Sequence, residues 1–274
     1  MSGKLYVVGT PIGNLEDFSP RAVRILNEVD FIAAEDTRVT LKLLNHFEIK
    51  KEMLSYYEQN KNEKGNLIIE RLLSGENCAV VSDAGMPAIS DPGEDLVRLA
   101  HENEIPVESV PGPSAVITAL AISGMKSGRF CFEGFLSVNK PSRKRHLESL
   151  KNECRTMIFY EAPHKLLNTL SDFLNVFGNR NITVVRELTK IHETVFRTTL
   201  KEAMEYYTEN TPKGEFVLII EGKEETDNTV YTEQDAVKLA KGLMEKGLSV
   251  SEAAKEASKT TGIKKGIIYK LMID

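Results

Sequence analysis

Three turns rich in glycine and proline, each directly after an apolar strand-like run, are the feature that most constrains how this chain can fold. They are Gly9-Thr-Pro-Ile-Gly13 after Leu5–Val8, Asp83-Ala-Gly-Met-Pro87 after Cys78–Val81, and Pro111-Gly-Pro-Ser-Ala115 after Val107–Val110. Apolar runs followed by a tight turn and a helical pattern are typical of strands in an open α/β sheet. Ligands of such sheets bind outside the carboxyl ends of the strands. We therefore expect one ligand site at the three turns, and an enzyme.

Strand and helix patterns alternate from residue 4 to about residue 123. Predicted strands cover 5–8, 31–34, 78–81 and 107–110, with a weaker one near 53–56. Predicted helices cover 19–28, 40–46, 64–73, 93–102 and 114–122. This alternation favours a mainly parallel sheet with helices on both faces.

A second α/β unit is predicted beyond a turn-rich link at 123–128. Its strands fall at 130–135, 156–160, 182–186, 193–199 and 215–221, and its helices at 142–151, 164–176 and 200–207. Short connections near 182–199 indicate some antiparallel pairing. A polar stretch, 223–228, leads to a tail with two or three helix patterns and a weak basic patch. The predicted fold is therefore two α/β domains, 1–123 and 124–224, plus a helical tail, 229–274. The helix pattern of the tail has two interpretations: it binds RNA, or its helices simply pack as a bundle.

Composition excludes several classes of protein. The 274 residues carry a formal charge of −5, so any contact with nucleic acid must come from a local basic patch. Three scattered cysteines without Cys-x-x-Cys spacing argue against a disulfide scaffold or a zinc ribbon, and no metal cluster is visible. No apolar stretch approaches the roughly 18–20 residues that cross a bilayer. We expect a cytoplasmic protein without membrane contact.

Charged residues cluster at strand ends. They are Glu35-Asp-Thr-Arg38, Glu161-Ala-Pro-His-Lys165 and Arg186-Glu-Leu-Thr-Lys190. The first cluster could be a capping box with Arg38 as its neutralising partner, and a lone histidine such as His164 is usually structural. Three such clusters facing one crevice nevertheless supply candidate bases and substrate clamps. Asp83 can accept a hydrogen bond from a ribose hydroxyl or an amino group, whereas Asp91 suits a helix cap. The N–H groups after Ser114 suit a carboxylate or phosphate, although Ser114 can also be an ordinary N-cap.

A dense basic run, Lys140-Pro-Ser-Arg-Lys-Arg-His146, opens a predicted helix. Most charge runs are solvated surface. In an acidic protein, however, this concentration of cations is what phosphate contact requires. The first turn matches neither the dinucleotide nor the P-loop fingerprint, so those nucleotide-binding classes are not indicated.

Taken together, these motifs resemble the tetrapyrrole (corrin/porphyrin) methylase family of S-adenosylmethionine-dependent enzymes. The resemblance covers nearly all of residues 4–222 and includes the tail. The segments that carry it are 8–15, 34–38, 81–85, 89–93, 111–115, 159–164 and 186–190. Within the family, the chain is most similar to members that methylate the 2′-oxygen of a cytidine ribose in small-subunit (16S) ribosomal RNA. Tetrapyrrole-modifying members carry Gly-x-Gly-Pro-Gly-Asp in the first turn, so Gly9-Thr-Pro-Ile-Gly-Asn14 argues against such a substrate.

The resemblance implies a cofactor cleft between the two α/β domains and names its contacts. Those predicted to bind S-adenosylmethionine are Pro11, Ile12, Asp83, Ala84, Met86, Ser114, Ala115, Glu161 and Leu188. The chain departs from the expected pattern at Met86, where Thr is more usual, and also at Tyr57 and Lys165.

The catalytic candidates are Glu187 as base and Lys190 as a polarising cation, with Glu35 or His164 as substitutes. Arg38, Lys140, Arg143, Lys144 and Arg145 are predicted to bind RNA. The expected partner is small-subunit ribosomal RNA or the 30S particle, and the family implies a homodimer. Two alternatives stay open: a methyltransferase of this fold that acts on a small molecule or a protein side chain, and a non-catalytic RNA-binding assembly factor.

Overall fold

The computed structural model of the chain describes residues 2–224 and 231–273. Most of the polar stretch predicted at 223–228 lies outside the described residues, as do residues 229, 230 and 274 of the predicted tail. The chain divides into two compact units, Met1–Lys223 and Glu224–Asp274. Among the described helices, none is both long and apolar enough to cross a membrane.

The first half of the larger unit is a parallel five-stranded sheet with the order β3-β2-β4-β1-β5. Its strands are β1 (Leu5–Val8), β2 (Phe31–Ala34), β3 (Glu52–Ser55), β4 (Cys78–Val81) and β5 (Val107–Val110). The helices are α1 (Pro20–Glu28), α2 (Thr37–His46), α3 (Lys61–Leu73), α4 (Gly93–Glu102) and α5 (Ala115–Ser123). The predicted parallel α/β architecture is confirmed.

Helices cover both faces of this sheet, which explains why its strands are continuously apolar. Successive side chains of a strand point to opposite faces. Thus Val7 packs in one core with Ile68 of α3 and Leu96 of α4, whereas Val8 packs in the other with Leu26 of α1.

The second half is a mixed sheet with the order β6-β7-β10-β8-β9. Its strands are β6 (Phe130–Phe135), β7 (Thr156–Glu161), β8 (Asn181–Arg186), β9 (Thr194–Thr199) and β10 (Phe216–Ile220). Only β6 and β7 pair in parallel, and the antiparallel pairing expected near 182–199 is the β8–β9 ladder. One face is covered by α6 (Lys140–Ser149), α7 (Leu166–Phe177) and α8 (Leu200–Glu209).

Helix α5 covers the other face of this second sheet. Its Val116 and Leu120 lie in one apolar cluster with Ile158 of β7 and Val217 of β10. The carbonyl of Ser123, at its carboxyl end, accepts hydrogen bonds from Thr183 and Arg197 of the same sheet, at 3.1 and 2.9 Å. The division into domains at residue 123 remains a prediction. Helix α5 precedes that residue in sequence but packs on the second sheet.

The smaller unit contains α9 (Glu233–Glu245), α10 (Val250–Thr261) and α11 (Lys265–Ile273). Alanines at 236, 240, 253, 254 and 257 pack with Ile268 in its small core. Thr232 and Ser249 cap α9 and α10, each exchanging hydrogen bonds with an acidic residue three positions on, which fixes both helix starts.

Candidate active site

The three glycine- and proline-rich turns meet at the carboxyl ends of β1, β4 and β5. Thr10 and Gly85 exchange backbone hydrogen bonds, 2.9 Å from Thr10 N to Gly85 O and 3.2 Å in return. The Thr10 hydroxyl is buried and lies 3.3 Å from the carbonyl of Ser82. The first two turns are therefore joined by a short antiparallel bridge.

The first and third turns are in direct backbone contact. A Cβ atom on Gly9 would lie 2.7 Å from the backbone of Gly112 and 2.7 Å from the sulfur of Met86. That sulfur accepts the N–H of Gly112 at 3.2 Å. Only two glycines facing each other allow the turns to approach this closely. The expectation that the three turns share one site is thus met by the geometry.

The first turn also contacts the second half of the unit. Gly13 has φ of +147°, and a Cβ there would lie 2.6 Å from Cγ of Lys190 and 2.9 Å from the hydroxyl of Thr189. This close packing sets the first turn against the loop that follows β8.

A cavity of about 450 Å³, here called the central cavity, lies at this junction. Its size falls in the range of small-molecule sites, and its walls are apolar with a few polar groups, as such sites usually are. The three turns supply Ile12, Ser82, Asp83, Ala84, Gly85, Met86, Ser114 and Ala115. The second sheet and its loops supply Phe135, Tyr160, Glu161, Ala162, Pro163, Val185, Leu188, Glu215, Phe216 and Val217, and Glu35, Ile89, Ser90 and Asp91 complete the wall.

Eight of the nine predicted cofactor contacts line the central cavity, and the ninth, Pro11, does not. Their roles stay predictions, but their convergence from five separate segments is a property of the fold. Ser114 makes no side-chain capping bond to the first turn of α5, so it is an N-cap by position only. Asp91 instead accepts the N–H groups of Ala88 and Gly93, at 2.9 and 2.8 Å, as a turn-forming residue.

Two carboxylates in the cavity wall are electrostatically coupled. Burial raises the pKa of Glu35 above its ordinary value, and the neighbouring charge of Asp83 raises that pKa further. Burial also raises the pKa of Asp83, although the N–H of Asp36, 3.0 Å from its Oδ1, opposes the shift. Since a raised pKa makes a carboxylate a stronger base, Glu35 is suited to take up a proton.

The other catalytic candidates lie outside the cavity lining. Glu187 accepts the N–H of Glu215 and the ammonium of Lys190, each at 3.0 Å, and these bonds lower its pKa, that of Glu215 first. Lys190 also contacts the carboxylate of Glu215 at 2.9 Å. A carboxylate so occupied is a weak base, so this arrangement counts against Glu187 as base. His164 is exposed and does not line the cavity.

Glu161 is the best-supported polar side chain in the wall. It is 4% exposed, accepts the N–H of Ala162 at 2.8 Å and accepts the hydroxyl of Thr169. Thr169 in turn accepts a bond from Arg143 at 2.8 Å, and Arg143 donates to Asp172 at 2.6 Å. The chain of bonds satisfies a buried carboxylate that would otherwise be costly to keep inside.

The predicted RNA contacts therefore differ in availability. Arg143 is 14% exposed and engaged in the bonds just described, which counts against its binding a phosphate. Arg38 is 87% exposed but forms a two-point pair with Asp36, the N-cap of α2. That pair holds the pKa of Asp36 at about 2. Lys140, Lys144 and Arg145 are exposed, and within the described chain they form no ion pair.

Several lining residues escaped the sequence analysis, notably Phe135, Tyr160 and Glu215. Phe135 and Tyr160 are in aromatic contact, with ring centroids 5.4 Å apart, and Phe135 is 59% exposed. An aromatic residue at the last position of a strand is the one signal that could have drawn attention to Phe135. Glu215 carries no such signal. It precedes β10, which is antiparallel to β7 and β8, so it reaches the cavity from the start of a strand and not from a strand end.

Comparison with known proteins adds relatives along nearly the whole chain. A family model, Tetrapyrrole (Corrin/Porphyrin) Methylases, matches residues 4–204. A Synechocystis protein named ribosomal RNA small subunit methyltransferase I is 47% identical over 99% of this chain and 98% of its own. A Thermotoga maritima protein of the same name is 48% identical over 222 residues, which are 81% of this chain and the whole of that protein.

A solved structure shares the fold. Uroporphyrin-III C-methyltransferase from Thermus thermophilus, complexed with S-adenyl homocysteine, superposes with a TM-score of 0.58 over 81% of this chain and 98% of its own. Its sequence is only 18% identical, so the likeness extends to the arrangement of elements alone. The predicted fold class is confirmed by this match and by the two sheets.

Proposed function

Because the chain belongs to the tetrapyrrole (corrin/porphyrin) methylase family, we propose that it transfers a methyl group from S-adenosylmethionine to the 2′-oxygen of a cytidine ribose in small-subunit ribosomal RNA. The single observation that carries the proposal is the central cavity, in which eight of nine predicted cofactor contacts come together. The names of the relatives support ribosomal RNA as the substrate. The choice of ribose oxygen and of cytidine rests on the resemblance of the motifs.

The residues of the cavity fit the cofactor chemically. An adenosine needs apolar walls and an acceptor for its hydroxyl groups. Ile12, Leu188 and Val217 provide the former, and Asp83 provides the latter, since the N–H of Asp36 occupies only its Oδ1. The amino terminus of α5, beside Ser114, suits a carboxylate. When bound, S-adenosylmethionine supplies a methyl group already activated by its sulfonium.

The protein then has to position the ribose hydroxyl, remove its proton and exclude water. We assign the base to Glu35, since of the four predicted catalytic residues, all in the described part of the chain, it alone lines the cavity. Burial raises the pKa of Glu35, so its carboxylate holds a proton more firmly than an exposed glutamate does. Lys190 keeps the loop after β8 in place by pairing with Glu187 and Glu215.

The decisive experiment combines binding and product analysis. Calorimetry with S-adenosylmethionine should give saturable heat, and an unmodified small-subunit ribosomal RNA transcript, or the 30S particle, should gain one methyl per chain. Nuclease digestion and mass mapping should locate that methyl on a cytidine ribose. Absence of binding at millimolar cofactor would overturn the enzyme assignment.

Methylation of a small molecule or protein side chain, but not of RNA, would favour the first alternative function. RNA binding without turnover would favour an assembly factor. A homodimer and a cytoplasmic location belong to the same proposal, and sedimentation at micromolar concentration tests the former. The division into domains at residues 123 and 229 is likewise proposed.

A further inference from the structure

A groove of about 730 Å³, larger than the central cavity, lies between α6 and α7. Its walls include Lys140, Arg143 and Lys144 on α6 and Asn168, Ser171, Asp172 and Asn175 on α7, with Ser137, Val138 and Lys165 at one end and Leu147, Glu148 and Val176 completing it. We call it the α6–α7 groove.

The α6–α7 groove and the central cavity are lined by neighbouring residues of the same two chain segments. Phe135 lines the cavity, and Ser137 and Val138 line the groove two and three residues later. In the same way, Pro163 lines the cavity and Lys165 the groove. The bonds from Glu161 through Thr169 to Arg143 connect a wall of the cavity to a wall of the groove. A polymer with one unit at the central cavity would therefore continue into the groove.

The charges of the groove favour a polyanion. Arg143 and Asp172 neutralise each other at 2.6 Å, which leaves Lys140, Lys144 and Lys165 against Glu148. Within the described residues these three ammonium groups form no ion pair, although many other lysines and arginines of the chain do. Lys140 and Lys144 are one helical turn apart and so share a face of α6. In a chain with a net charge of −5, this is a local concentration of uncompensated positive charge.

From this geometry we infer that the α6–α7 groove binds the phosphodiester backbone next to the nucleotide that is methylated, with Lys140, Lys144 and Lys165 as its phosphate contacts. The inference rests on the proposed function. Asparagine and serine side chains in the walls add donors of the kind that contact phosphate and ribose oxygens. Arg145, on the same helix, does not line the groove, and Arg143 stabilises its wall instead of holding phosphate.

The test is the salt dependence of RNA binding. The variant K140A/K144A/K165A is compared with K50A/K151A/K201A, which removes the same charge from exposed residues that do not line the groove. Affinity for an unmodified small-subunit ribosomal RNA transcript is measured by filter binding between about 50 and 400 mM KCl, which is roughly one decade of salt concentration. S-adenosylmethionine affinity and melting temperature are measured for both variants.

Loss of three phosphate contacts should make the negative slope of log K against log salt shallower by about 2 for single-stranded RNA. The association constant at 0.1 M salt should fall by about 100-fold. The control variant should change the slope by less than about 1, and both should retain cofactor affinity. Equal slopes for the two variants would overturn the inference. If the triple variant unfolds, K140A/K144A, at two exposed positions, should still make the slope shallower by about 1.4.

The two proposals fail separately. Unchanged slopes in a protein that methylates the transcript would refute the groove alone. A protein that binds the transcript through the groove, yet neither binds S-adenosylmethionine nor methylates RNA, would refute the proposed function alone.

Discussion

Replacing Arg143 by alanine should destabilise the protein far more than replacing Arg145, although both belong to one basic run. Arg143 is 14% exposed and donates to Thr169, a fully buried residue, and to Asp172. A buried hydrogen bond to a charged group contributes about 1.5–3 kcal/mol. The pair with Asp172 adds up to about 1 kcal/mol, because that carboxylate is 41% exposed and water can replace its partner. The expected loss is therefore about 3 kcal/mol.

For a chain of this size, a loss of about 3 kcal/mol lowers the melting temperature by roughly 6–12 °C. Arg145 is exposed and contacts only the hydroxyl of Ser142, at 3.4 Å, so Arg145→Ala should stay within about 0.5 kcal/mol of the unmodified protein. Thermal denaturation followed by circular dichroism measures both variants at one protein concentration. Equal shifts, or a shift below about 2 °C for Arg143→Ala, would refute the structural role of Arg143.

Three other predictions concern the turns and Glu35. Gly9→Ala should force the first and third turns apart, because its Cβ would lie 2.7 Å from Gly112. We expect the free energy of unfolding to fall by about 1–3 kcal/mol and calorimetry to show weaker cofactor binding. An unaltered affinity would contradict the shared site. Met86→Leu removes the sulfur that accepts the Gly112 N–H at 3.2 Å. Chemical denaturation should then show a free energy of unfolding lower by about 0.5–1.5 kcal/mol. An unchanged free energy would mean that this hydrogen bond contributes nothing to stability. Glu35→Gln should abolish most turnover, by about 10²–10⁴-fold, while retaining cofactor binding; full activity would exclude Glu35 as base. The pKa of Glu35 in the folded protein is raised above its ordinary value, so ionisation of Glu35 opposes folding at neutral pH. Glu35→Gln should therefore stabilise the protein at pH 7–8. This stabilisation should disappear as the pH falls through the raised pKa.

The sequence predicted the strands well because parallel strands buried on both faces are uninterrupted apolar runs. All five strands of the first sheet were placed to within a residue. Helix starts were harder to place. Helix α2 begins at Thr37 and not at residue 40, since Asp36 accepts the N–H of Arg38 and caps it earlier. That capping was one of the alternatives considered for the Glu35–Arg38 cluster, and it proved correct for Asp36.

Long-range partners could not be predicted from the sequence. The apolar residues of α5 show no preference for one helix face, so nothing in Ala115–Ser123 indicates that it packs on the second sheet. Arg143 lies in a basic run that suggests solvent, but its partner Asp172 lies 29 residues further along the chain. The turns, by contrast, were predictable, because each carries its own glycines and proline at a strand end.

The position of β1 in the sheet has a consequence for biosynthesis. Although β1 is synthesised before the other strands of its sheet, its neighbours are β4 and β5, which end only at residues 81 and 110. At roughly 5–20 residues per second, a nascent chain waits several seconds before either neighbour has emerged. During that interval an apolar segment has no native partner. Truncated chains that end before residue 110 should accordingly be prone to aggregation and depend on chaperones. Stabilisation by the methyl donor must wait longer, because the central cavity also includes Val217.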